Sequence, residues 1–79
     1  MIYWTKKEST IYFRYRAYNA KHHLDNHVVL DNEVLAEVMV NKDKTNKSVF
    51  GITKEQSSLR YFESVQVAIH TISKEINSH

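Results

Sequence analysis

Apolar and polar residues alternate strictly along IYFRYRAY, from Ile11 to Tyr18. A period of two is the signature of a half-buried strand. It places Ile11, Phe13, Tyr15 and Ala17 on one face and Tyr12, Arg14, Arg16 and Tyr18 on the other. The aromatic content supports a strand over Ile11–Asn19. Before it, Ile2–Trp4 is short and β-prone, and Thr5–Ser9 (TKKES) is polar enough for a hairpin loop. After it, Ala20–Asn26 is expected to be a loop, and His27–Leu30 a short β run ending in a two-residue Asp31-Asn32 turn.

The next segment, Glu33–Asn41, also alternates. As a strand it turns Val34, Ala36, Val38 and Val40 one way and Glu33, Leu35, Glu37 and Met39 the other. A helix capped by Asp31 also fits Val34, Leu35 and Val38, but the β-branched valines favour a strand. KDKTNK then suits a hairpin loop, and Ser48–Thr53 is a further strand. Gly51 inside that strand predicts a bulge or a close approach by another element. At the C-terminus Val65, Ala68, Ile69, Ile72 and Ile76 form one apolar stripe at helical spacing. The start of this helix has two solutions: a capping box at Thr53 and Gln56, or a start near Ser57–Ser58 or Ser64. The later start gives a helix of ordinary length, and with Ser64 as cap Leu59–Phe62 becomes a last strand. The expected fold is α+β: a small antiparallel β-meander of about four strands, with one long C-terminal helix packed on its apolar face.

Composition narrows the chemistry. The chain has 79 residues, one glycine, no proline and no cysteine. Its size suits one domain with a small core, for which self-association into a homodimer is a common source of extra burial. Without cysteine there is no disulfide, zinc thiolate or cysteine nucleophile. One glycine weighs against a phosphate-cradling loop. No cofactor is expected. The net charge of +2 is low for a nucleic-acid-binding domain. MIYWTKKEST lacks the apolar run of a signal peptide, and no stretch approaches the roughly 18 apolar residues of a membrane span. The simplest expected location is the cytoplasm, away from membranes.

Three groups of residues are candidates for function. KHHLDNH brings His22, His23, Asp25 and His27 together, side chains that ligate zinc, nickel or copper, but at the spacing of no established metal motif. A solvated turn explains them as well. Glu33 and Glu37 are better ion-pair partners for arginine than an acid–base pair. The third group is the Tyr12/Arg14/Arg16/Tyr18 face, joined by Leu35 and Met39 if their strand lies alongside. Tyrosine and arginine are enriched in protein interfaces. They also stack on bases and contact phosphates, and Lys6, Lys7 and Lys21 flank the strand. Exposed Leu35 and Met39 favour the protein interface.

RYFESVQVAI, Arg60–Ile69, resembles the strand–Phe–x–Ser/Thr–helix junction of DNA-binding domains built from a three-stranded sheet and a helix, such as integrase arm-binding domains. Phe62, Ser64 and Ala68 match. The resemblance implies a sheet packed on a helix. In such domains the sheet enters the major groove, but here the earlier strands lack alternate lysine and arginine apart from Arg14 and Arg16. The expectation is a non-catalytic interaction protein. Its composition suits a phage or mobile-element accessory protein that inhibits or redirects a larger host protein, such as a defence component, by steric docking. The partner-binding set is Tyr12, Arg14, Arg16, Tyr18, Leu35 and Met39. Nucleic-acid binding by the same face is the rival.

Overall fold

The computed structural model describes residues 1–24, 27–43 and 48–78, with 22–24 and 27 described by backbone only. Among the described residues six strands precede one helix: β1 (Ile2–Glu8), β2 (Tyr12–Leu24), β3 (His27–Leu30), β4 (Ala36–Asn41), β5 (Val49–Thr53), β6 (Arg60–Phe62) and α1 (Val65–Asn77). The sheet is antiparallel, in the order β1-β2-β4-β5-β6, and β3 pairs with the far end of β2. The fold is thus α+β, with six strands where about four were expected.

Two strands are also longer than expected, because they extend into expected loops. Thr5–Ser9 is not a loop: β1 continues to Glu8, and Ser9 N–H donates to Tyr12 O at 2.9 Å, so the chain turns at Thr10–Ile11. Ile11 therefore sits on the turn, 65% exposed, rather than in the core. Ala20–Leu24, the described part of the other expected loop, is strand as well. β2 runs on to Leu24 through a register shift between Ala20 and His22, and pairs there with β3. In both segments polar side chains occupy strand because the neighbouring strand supplies ladder hydrogen bonds, and tertiary pairing overrides weak local propensity. The candidate metal group His22, His23, Asp25 and His27 lies outside the described side chains.

Ladder partners share a face, so the register shows what the sheet buries. Trp4, Ala17 and Ala36 form one row, Tyr15, Val38 and Gly51 the next, and Phe13, Val40, Val49 and Phe62 a third. Among the described residues the buried core is Ala17, Ala36, Val38, Val49, Ala68 and Ile72. Helix α1 packs on β4, β5 and β6. Its approach is close because the sheet offers small residues beneath it. A Cβ added at Gly51 would stand 3.0 Å from Ile72 Cδ1, 3.2 Å from Phe62 Cε2 and 3.4 Å from Val38 Cγ2. The glycine thus marks the predicted close approach. At the end of β1 and β2 beyond the helix, lysines cover the rings instead. Lys6 Nζ lies 4.5 Å from the Phe13 ring centre and Lys42 Nζ 4.9 Å, with Lys42 also 3.0 Å from Glu8.

The helix begins at the later of the expected sites. Ser64 is extended (φ −152°, ψ 165°), and its Oγ accepts from Val67 N–H at 3.1 Å. Ser64→Ala should lower stability by about 1 kcal/mol, read as a shifted urea midpoint at constant m; an unmoved midpoint would show that the cap contributes nothing. Glu75 fastens α1 to β6 by accepting both terminal nitrogens of Arg60, at 2.6 and 2.7 Å. Those hydrogen bonds raise the Arg60 pKa above its ordinary value against partial desolvation, and the Glu75 charge adds to them.

Candidate functional site

The face of the sheet opposite α1 carries the other half of every alternating strand. One cross-strand row runs Lys7, Arg14, Met39, Phe50, Tyr61, and the next Thr5, Arg16, Glu37, Ile52. Tyr3 pairs with Tyr18 at one end of β2, and Tyr12 with Asn41 at the other. The structure therefore brings Tyr12, Arg14, Arg16, Tyr18 and Met39 onto one surface.

Leu35 does not join them. Strand β4 starts at Ala36, after Leu35 N–H has donated to Ala17 O at 2.8 Å and Leu35 O has accepted from Lys54 N–H. The residue precedes the regular pleat, and its side chain packs against the core. It lines an open cleft of about 310 Å³ with Glu33, Thr53, Lys54 and Ile76. Val34, expected in the core, is exposed for the same reason. Period-two alternation cannot be extrapolated past the end of a strand.

Three apolar residues that sequence reasoning missed take the place of Leu35: Phe50, Ile52 and Tyr61. Phe50 and Tyr61 meet edge to face, with ring centres 6.2 Å apart at 66°, and Tyr61 is 78% exposed. The signal was present, because Phe50 and Ile52 flank Gly51 and so lie opposite it on a strand. Nothing local showed that Gly51 faces the helix. The surface is divided. Lys7, Arg14 and Arg16 occupy its β1–β2 side, and Met39, Phe50, Ile52 and Tyr61 its β4–β6 side. A notch of about 270 Å³ opens at one end of the sheet, lined by Tyr12, Met39, Phe50 and Ile11 among others.

Glu37 sits at the boundary and engages both arginines. Arg16 Nε donates to its Oε2 at 2.9 Å, and Arg14 Nε lies 3.4 Å from its Oε1. The Glu37 hydrogen bond, then its charge, raise the Arg16 pKa above the ordinary guanidinium value; partial desolvation opposes them and Tyr18 adds to them. Arg14 also donates to Tyr12 Oη at 2.8 Å while its guanidinium lies 5.2 Å from the ring centre. Glu33, the other expected partner of the arginines, pairs instead with Lys54. One carboxylate therefore orients two guanidiniums, and with Lys7 the described residues of these two rows carry three cations to one anion.

Among the described residues no three His, Asp or Glu side chains converge as metal ligands. No described helix is long and apolar enough to cross a membrane. The Arg60–Ile69 junction has the expected local geometry: a strand ending at Phe62, a Ser64 cap and a buried Ala68 against the sheet. No protein-family model, curated protein or solved structure matches the chain.

Proposed function

We propose that this chain is a non-catalytic protein-binding domain that docks its outer sheet face on a larger protein and acts by occluding or redirecting it. A phage or mobile-element accessory protein acting on a host defence component is the setting that fits its size and composition. The supporting observation is the divided face, with a cationic half at Lys7, Arg14 and Arg16 beside an apolar half at Met39, Phe50, Ile52 and Tyr61. Aromatic, methionine and arginine side chains are the types enriched at interface centres. The complementary partner is a protein surface carrying an acidic rim beside an apolar patch.

The rival reading is a nucleic acid stacked on Tyr12, Tyr18 or Tyr61 and held by the same cations. It is weakened by the apolar half, which offers phosphates nothing, and by Glu37, whose charge opposes an anionic ligand.

Met39→Glu tests the proposal, because residue 39 lies on the outer face and the change spares the core. Material captured from the native host by the wild type should be lost with Met39→Glu and retained with Lys74→Glu on the exposed side of α1. A protein lost only with Met39→Glu supports the docking face. Equal capture by all three chains sinks it. A low-salt gel shift that Arg14→Ala/Arg16→Ala abolishes, with an affinity falling steeply as salt rises, would establish the rival instead.

A further inference from the structure

Strand β1 is an edge of the sheet: β2 lies on one side, and no described strand lies on the other. Two hydrogen bonds set the phase of its ladder, Ser9 N–H to Tyr12 O and Ala20 N–H to Met1 O. Backbone groups of successive residues in an antiparallel pair point to opposite sides. Odd-numbered β1 residues therefore face β2, and the N–H and C=O of Ile2, Trp4, Lys6 and Glu8 point outward. The opposite edge, β6, has three residues, and very short edge strands resist pairing. β1 has seven. Helix α1 packs on β4, β5 and β6, towards the other edge of the sheet.

We propose that β1 pairs antiparallel with β1 of a second copy, about a two-fold axis at Thr5, to make one continuous sheet with both helices on the same side. The register follows from the strand itself. Centring on Thr5 sets Ile2 opposite Glu8 and Trp4 opposite Lys6, each twice, so all four outward-pointing residues of each copy are hydrogen-bonded. A slip of two residues either way leaves one of the four unpaired. Side chains agree with this choice. Lys6 meets Trp4 of the second copy, Lys7 meets Tyr3, Glu8 meets Ile2, and Thr5 meets Thr5. Lysine on an edge strand usually discourages pairing, but here Lys7 stands opposite Tyr3, a favourable cation–π pairing, and Lys6, whose Nζ lies over the Phe13 ring of its own copy, stands opposite Trp4 rather than another lysine. No like charges stand directly opposite, whereas one of the slipped registers sets Lys6 against Lys6. This dimer goes beyond the docking reading and does not rest on it, since it uses the edge of the sheet and not its outer face.

The absence of cysteine makes the register directly testable. Thr5 and its mate form a non-hydrogen-bonded pair, whose Cα separation of about 4.5 Å lies within disulfide reach. Cysteines at position 7 of the two copies would be about 13 Å apart along the strand direction. Sedimentation at roughly 100 μM should give twice the monomer mass. Under mild oxidation Thr5→Cys should cross-link at least about tenfold faster than Lys7→Cys, with an unchanged circular dichroism spectrum. Lys6→Pro, or a synthetic chain N-methylated at Lys6, removes an outward N–H but no bond to β2, and should be a folded monomer. A monomeric wild type at that concentration overturns the proposal, including one that pairs only with a strand of another protein. So does a dimer that cross-links equally well at positions 5 and 7, or one that survives N-methylation at Lys6.

Discussion

Ile72→Ala is expected to cost about 2–5 kcal/mol, the range for truncating a large aliphatic side chain in a closed core. Ile72 is fully buried. Its Cδ1 occupies the space above Gly51, between Phe62 and Val38. A chain of 79 residues commands roughly 4–12 kcal/mol in total, so this one truncation removes a large share of it. The thermal midpoint should fall by about 4–8 °C for each kcal/mol lost. The contact also predicts a coupling. Gly51→Ala sets a methyl 3.0 Å from Ile72 Cδ1, and overpacking of this kind costs about 1–3 kcal/mol. Ile72→Val removes Cδ1. Gly51→Ala should therefore cost less in the Ile72→Val background than in the wild type. Additive costs in a urea double-mutant cycle would show that the helix does not press on Gly51 as described.

Trp4→Ala should be the next most damaging change, at about 2–4 kcal/mol, somewhat below the usual cost for a fully buried tryptophan because the ring is only partly covered. Trp4 lies beside Ala17 on the core face, packs against the core cluster, and donates from Nε1 to Ser73 Oγ at 2.9 Å. It ties the edge strand to the helix, which otherwise packs towards the opposite side of the sheet. Trp4→Phe keeps most of the apolar area and loses the hydrogen bond, so about 1 kcal/mol of the cost should remain. Ser73→Ala should reproduce that part alone, and the double variant should cost little more than either single one. Trp4 is the only tryptophan, so its fluorescence in Ser73→Ala reports on this contact directly. If Trp4→Phe and Trp4→Ala were equally destabilising, the hydrogen bond rather than ring packing would dominate.

The burial of Ile72 is legible in its helical stripe, whereas the candidate face shows where such reading stops. The alternation in IYFRYRAY correctly separates Tyr12, Arg14, Arg16 and Tyr18 from Tyr15 and Ala17, because strand pleating is a local geometric rule. It also assigns Met39 to the outer side. The same rule misplaced Leu35, since the chain enters β4 only at Ala36 and Leu35 lies before the pleat. Polar composition made TKKES and AKHHLDN look like loops, although neighbouring strands hold the backbone of Thr5–Glu8 and Ala20–Leu24 in a ladder. Phe50 and Ile52 could be read as lying opposite Gly51 on their strand, but they and Tyr61 join the face only through pairing across β4, β5 and β6.

The sequence by itself determined the α+β class, the alternation of β2 and β4 and the absence of cysteine chemistry, and it narrowed the helix start to sites that include Ser64 and Gly51 to a bulge or a close approach. Each follows from local periodicity, capping chemistry or composition. Only the tertiary structure decided that Glu37 serves both Arg14 and Arg16, that Glu33 pairs elsewhere, that the outer face divides into cationic and apolar halves, and which backbone groups β1 leaves on its open edge. These depend on register, and register is fixed by which apolar set the helix buries: a slip of one residue would exchange the two faces of a strand. The small residues beneath α1 at Ala17, Ala36 and Gly51 fit this register, and the arginines, tyrosines and Glu37 meet on the other face as its consequence.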